Sequence, residues 1–211
     1  MASESRPLEK IEKNAALLGV VIVILVSLGG LAEITPLFVN AHTVAPAPGL
    51  KPYDALRLAG RDVYVREACY QCHSQMIRTL SFETQRYGHA SEASESVYDR
   101  PFQWGSKRTG PDLARVGGKY SDAWQRQHLL APRTLVPESN MPDYPWLAQR
   151  ELDDTDIRAR MRVLRMLGDP YTDEDLNGIY EKVKGKTELD ALVAYLQGLG
   201  VSAQTAQAAA P

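Results

Sequence analysis

The chain has 211 residues, room for one domain or two small ones. Its 24 Lys and Arg against 26 Asp and Glu leave a net charge of -2, which excludes the basic surplus of a nucleic-acid binder. Charged residues at 24% and hydrophobic residues at 44% exclude wholesale disorder, and two cysteines exclude a disulfide framework.

The first predicted element is a membrane span. Ala15 to Ala32 carries no charge, and beyond Glu33 the chain stays mostly apolar through Val39. Such a run matches the roughly 20 residues that cross a hydrocarbon core of about 30 Å. The predicted anchor helix covers residues 15–38 and the preceding segment 1–14 is assigned to the cytoplasm. Arg6, Lys10 and Lys13 precede the run, whereas no Lys or Arg follows until Lys51. That asymmetry puts the N-terminus inside and the remainder outside. A cleaved signal peptide is the competing reading, with Val39-Asn40-Ala41 as a passable cleavage site. Signal h-regions of about 7–15 residues are shorter than this run, which favours a retained anchor.

Residues 39–52 form a linker, stiffened by Pro46, Pro48 and Pro52. The soluble domain spans 53–200 and reads as helices joined by long loops. Asp54 to Ala68 places Leu56, Ala59, Val63 and Tyr64 on one helical face. Asp153 to Gly168 repeats Ile157, Met161 and Leu164 at helical spacing, with Gly168-Asp169-Pro170 as the stop. Thr172 with Asp175 makes a capping box for a helix running to Gly185. Thr187 with Asp190 makes another for a helix ending at Gly198-Leu199-Gly200. Residues 201–211 are Ala/Gln-rich and predicted disordered. No alternating strand pattern occurs, so the predicted class is all-α.

Cys69-Tyr70-Gln71-Cys72-His73 is C-x-x-C-H, the attachment motif of c-type haem. Two thiols three positions apart can bond covalently to the two haem vinyl groups. His73 then supplies the proximal nitrogen to the iron. Two rival readings are weaker. A thioredoxin-like pair belongs in a βαβ setting, and a zinc site needs two further ligands from His42, His89 and His128.

For the sixth ligand the candidates are Met76, Met141, Met161 and Met166, with His42, His89 and His128; Met76 follows His73 too closely to reach the opposite haem face. Met161 and Met166 lie in a predicted helix and are assigned to core packing. Met141 sits in the proline-stiffened loop Pro137-Glu138-Ser139-Asn140-Met141-Pro142, and is the predicted axial thioether. Trp124, Tyr120 and Arg115 are candidate donors to the haem propionates, and equally candidates for packing or surface.

The C-x-x-C-H, Gly110-Pro111, Met141-Pro142 and the terminal LDALVAYLQGLG helix together resemble class I cytochrome c over roughly 53–200. Gly60 and Tyr64 match that family's first helix, and Leu192, Tyr195 and Leu196 match the last helix it crosses. The resemblance implies that the Pro111 carbonyl receives the ring N–H of His73 and orients it. The strings CYQCHSQMIR, RYGHASE, PFQWGSKRTGPDLARVGGKYSDAW and ESNMPDYPWL resemble the mono-haem subunit of cbb-type cytochrome c oxidases, over nearly the whole chain. This resemblance implies one covalently bound haem c, a bacterial inner-membrane anchor and a periplasmic haem domain. It also implies a di-haem cytochrome c subunit as electron donor. A catalytic haem-copper membrane subunit would be the acceptor in aerobic respiration, with no catalysis on this chain alone. Two alternatives remain open: a free-standing membrane-anchored electron shuttle, and a haem-based gas sensor.

The predicted insertion 74–108 separates the haem motif from Gly110-Pro111 and exceeds the length of idle loops. Ser91, Ser94 and Ser96 with Glu92 and Glu95 suggest disorder in its middle. Phe82, Tyr87, Tyr98, Phe102 and Trp104 suggest an interface at its ends, with Ile77 and Leu80 extending it. The expected role is docking on the integral-membrane partner.

Overall fold

A computed structural model describes residues 7–39, 45–105 and 107–200. The chain divides into two compact units, Met1–Ala45 and Pro46–Pro211. The described residues are helical, with no strand among them and one isolated antiparallel bridge between Glu151 and Thr187.

In the first unit, α1 (Pro7–Glu12) leads into α2 (Ala15–Val39). The Asn14 side chain starts α2 by accepting the Leu17 amide at 3.1 Å. Its 25 residues span about 37 Å at ~1.5 Å per residue, enough to cross a bilayer. Glu33 is the single charged residue in it, and none of its side chains is buried by the protein. An apolar helix left bare on every side is compatible with a single membrane anchor.

The second unit is organised by one helix crossing. α3 (Ala55–Arg66) begins at Asp54, whose carboxylate accepts the Arg57 amide at 2.9 Å. The expected helix Asp54–Ala68 ends earlier because Ala68 turns left-handed (φ 57°) to enter the C-x-x-C-H turn. α9 (Glu188–Gly198) starts at the Thr187–Asp190 capping box anticipated from sequence. The two helices meet at Gly60. A Cβ there would lie 1.9 Å from the Ala191 carbonyl oxygen, so only glycine lets the backbones come this close. Tyr195 packs its ring 5.5 Å from Tyr64 and 5.7 Å from Tyr53.

This pair has a core on each side. One contains Val63, Tyr64, Leu147, Leu192 and Leu196; the other joins Leu58 and Ala191 to Ile157, Met161 and Ile179. The second belongs to α6 (Asp154–Met166), α7 (Asp173–Asn177) and α8 (Ile179–Val183). The single helix expected from Thr172 to Gly185 is broken, with α7 capped at its end by Gly178. Met161 is fully buried as expected, but Met166 is 86% exposed and packs no core. It lies at the last position of α6, beyond the stripe that faces the domain.

The Ser/Glu middle of the insertion, where the sequence suggested disorder, takes up a defined turn. A 3-10 turn, Ala93–Ser96, is closed by a Glu92–Glu95 capping box, and Glu95 pairs with Arg115 at 2.8 Å. Before it, α4 (Ser81–Tyr87) carries the fully buried Glu83. Hydrogen bonding to the Arg108 guanidinium holds the Glu83 carboxyl down at about 2. A further helix, α5 (Asp122–Leu130), is capped by Ser121 and has no counterpart in the expected set. The predicted tail 201–211 and part of the predicted linker lie outside the described residues.

Candidate functional site

A cavity of about 850 Å³ opens beside the α3–α9 crossing. It is within the ~300–1,000 Å³ range of cofactor sites. Leu192 and Leu196 of α9, Val116 and Leu129 give it an apolar wall. The C-x-x-C-H turn, Gly110-Pro111 and Met141 all lie on its lining, although they are up to 72 positions apart in sequence.

The turn is built by a 3-10 helix, Cys69–Gln71, in which Cys69 accepts the amides of Cys72 and His73 at 3.1 and 3.0 Å. Both cysteines are free thiols, Cys69 half-buried and Cys72 exposed. Burial pushes the Cys69 thiol up to about 12, so it is protonated at neutral pH. That is the opposite of the depressed thiol a redox-active C-x-x-C needs.

His73 is fixed from several directions. Its Nδ1 lies 2.8 Å from the Pro111 carbonyl oxygen, leaving Nε2 free. Its own carbonyl accepts the Tyr64 hydroxyl at 3.1 Å. The Cys72 carbonyl accepts the Gly110 amide at 2.9 Å, and the Ser74 carbonyl accepts the Leu113 amide at 2.8 Å. A Cβ on Gly110 would sit 2.2 Å from His73 Cε1, so the imidazole rests directly on a backbone that has no side chain.

Met141 is half-buried against the core that includes Leu192 and Leu196, with its amide bonded to Ser139 Oγ at 3.2 Å. It is the one methionine on the cavity lining among the described residues; Met76, Met161 and Met166 lie elsewhere. Tyr120, Trp124 and His128 form a continuous stack along another wall, with centroid spacings of 4.0 and 4.6 Å. His128 Nδ1 is buried without a partner, and burial pushes its pKa down, so the ring is neutral and poised to donate or accept inside the cavity. Sequence reading named His128 only as a candidate metal ligand and not as part of a ring stack, although the four-residue spacing of the three rings carries that signal.

Arg115 also reaches the cavity but is committed to Glu95 at 2.8 Å and to His89. Arg86 and Lys119 are the cations on the lining with no carboxylate partner among the described residues.

One imidazole with a free Nε2, one thioether, two neighbouring thiols and an apolar slot suit a haem in both donor chemistry and volume. A family model described as cytochrome c oxidase, mono-heme subunit/FixO matches residues 8–187. No curated protein sequence matches the chain.

Proposed function

The chain belongs to the mono-haem subunit family of cbb-type cytochrome c oxidases, and on that premise we propose that it relays electrons from a di-haem cytochrome c subunit to the haem-copper catalytic subunit. The observation carrying this reading is the convergence of Cys69, Cys72, His73 and Met141 on one apolar cavity. A haem bound there supplies reversible one-electron exchange at its iron.

The residues of the chain do the rest. Cys69 and Cys72 would tether the group through thioether bonds, and His73 Nε2 and Met141 Sδ would hold its iron. Pro111 accepts the His73 Nδ1 proton, which fixes the ring and raises its basicity. Leu192, Leu196, Val116 and Leu129 exclude water, keeping the reorganisation that accompanies electron exchange small. Lys119 and Arg86, rather than the already paired Arg115, are the cations available to a propionate, and Trp124 and His128 supply ring N–H groups on the lining. The Met141 thioether, held in a stiff loop, would close the iron to exogenous ligands, which favours electron transfer over gas sensing.

Met141→Ala in the mildly solubilised oxidase is expected to abolish the methionine–iron charge-transfer absorption and lower the haem potential, with oxygen consumption falling in step. An unchanged absorption in that variant rules out Met141; its loss on Met161→Ala instead would move the ligand to α6.

The polarity we infer places the N-terminus in the cytoplasm, α2 across the bacterial inner membrane and the haem domain in the periplasm. It rests on Arg6, Lys10 and Lys13 preceding α2, against no Lys or Arg from Asn14 to Leu50.

Docking on the catalytic subunit is assigned to the insertion. Phe82 is 64% exposed and Phe102 52% exposed, with Leu80 also in the open. Trp104 is half-buried, stacks on Phe102 at 5.5 Å and bonds Ser96 Oγ through its indole N–H. Ile77, expected on the same surface, is instead buried at 1% exposure and packs the insertion onto its own domain. Large bare aromatics are what a partner's surface selects, since they bury much area at low entropy cost. Phe82→Glu with Phe102→Glu should release this chain from the oxidase during mild extraction while leaving its haem spectrum unaltered. Retention of the double variant in a full-activity complex argues against this face.

A further inference from the structure

The helix that presents Phe82 outward carries Glu83 inward, and Glu83 leads by an unbroken set of hydrogen bonds to the segment holding His73. Glu83 Oε2 accepts from Arg108 Nη2 at 2.7 Å and from the Arg78 amide at 2.9 Å. The Arg78 guanidinium closes on its other oxygen. Arg108 then donates to the Met76 carbonyl at 2.8 Å, to Ser74 Oγ at 2.7 Å and to Asp112 Oδ2 at 3.3 Å. Asp112 Oδ2 also accepts the Ser74 hydroxyl at 2.6 Å and the Met76 amide at 3.0 Å, while Oδ1 accepts the Ala114 amide at 2.8 Å. Glu83, Ser74 and Asp112 are all buried.

Two features give this cluster a meaning beyond packing. It is neutral as a whole, two guanidinium groups against two carboxylates, so its charges are compensated in place and it can persist away from water. Its members also adjoin the hydrogen-bonded His73–Pro111 pair in sequence. Ser74 directly follows His73, and Asp112 directly follows Pro111. The Ser74–Asp112 bond therefore sets the distance between the two segments whose neighbouring atoms, His73 Nδ1 and the Pro111 oxygen, are 2.8 Å apart.

We propose that Glu83, Arg108, Asp112 and Ser74 are positioning residues that lock His73 against Pro111, so that the docking helix α4 is mechanically tied to the haem's axial ligand. The inference deepens the proposed role of His73 and rests on it. A firm N–H donation from His73 to Pro111 makes the imidazole more basic and favours ferric iron. Slackening the lock weakens that donation and favours the ferrous state. Pressure of a partner on Leu80 and Phe82 reaches His73 by the same route.

The test uses the intact solubilised oxidase and reads the midpoint potential of this chain's haem together with the ferric low-spin electron paramagnetic resonance. Glu83→Gln and Asp112→Asn should each raise the potential and shift the g-values, with the methionine–iron absorption retained. Arg108→Lys, which keeps the charge but not the forked donors, should give a smaller shift in the same direction. Should the charge variants fail to accumulate, Ser74→Ala removes one hydroxyl, leaves the ion pairs intact and should still shift both readouts. Potentials and g-values equal to those of the unaltered protein in the variants that accumulate overturn the lock. Survival of imidazole ligation in His73→Gly overturns instead the assignment of His73, a separate failure from that of the lock.

Discussion

Cys69→Ala together with Cys72→Ala is expected to remove all haem staining from this chain on a denaturing gel. The argument is geometric before it is chemical. The 3-10 turn closed on the Cys69 carbonyl holds Cys69, Cys72 and His73 on the lining of one cavity. Thiols there can bond to the edge of a planar macrocycle only if His73 lies under its centre, which is what the spacing enforces. Neither cysteine has a disulfide partner to occupy it. Burial raises the Cys69 pKa, which makes it poorly suited to thiolate exchange. Each single variant keeps one attachment point and should still stain. A band that survives the double change would mean the haem is held without covalent bonds or belongs to another chain, and the c-type assignment fails.

What could be read from the sequence divides along a physical line. Features encoded within a few residues were legible: the C-x-x-C-H, the apolar run that becomes α2, and the boxes at Thr172–Asp175 and Thr187–Asp190, each a local hydrogen-bonding device. The residues that line the cavity were nameable for the same reason, since a motif and a proline-flanked methionine are local patterns. Features set by distant complementarity were not. α4 has a short, polar, weakly periodic sequence, and its place is fixed by Glu83 meeting Arg108 25 positions later. The break at Gly178 is different: α7 stops after five residues on a glycine cap, a local signal that the longer helical period of the segment overshadows. Burial of Ile77 and exposure of Phe82 within one segment depend on which side of α4 faces the domain. The ring stack on the cavity wall lay between these cases: Tyr120, Trp124 and His128 have a helical period, but its meaning required knowing where Ser121 starts α5.

The second large effect belongs to Gly60. By helix propensity alone, Gly60→Ala should stabilise α3 by about 0.5–1 kcal/mol, because glycine gives up the most backbone freedom on folding. The crossing reverses the sign. An added Cβ meets the Ala191 carbonyl oxygen at 1.9 Å, the Ala191 carbonyl carbon at 2.4 Å and Tyr195 Cβ at 2.8 Å. Backbone cannot rotate away as a side-chain end can, so α3 and α9 must part. Parting them strains contacts on both sides at once, since Leu192 and Tyr195 belong to one core and Ala191 to the other. Overpacking of this kind costs roughly 1–3 kcal/mol and occasionally more, and with backbone as the obstacle the upper end applies, a net loss of about 2–3 kcal/mol. For a unit of this size the thermal midpoint should fall by roughly 5–10 °C. Gly105→Ala, with nothing within 4 Å of its added Cβ, is the matched control and should leave the midpoint nearly unchanged. Leu192 and Leu196 wall the haem cavity, so separating α9 from α3 should also loosen the haem, and Gly60→Val, with two more methyl groups against the same carbonyl, should prevent haem-loaded protein from accumulating. A midpoint for Gly60→Ala equal to that of the control would mean that the helices are not held at this distance in solution.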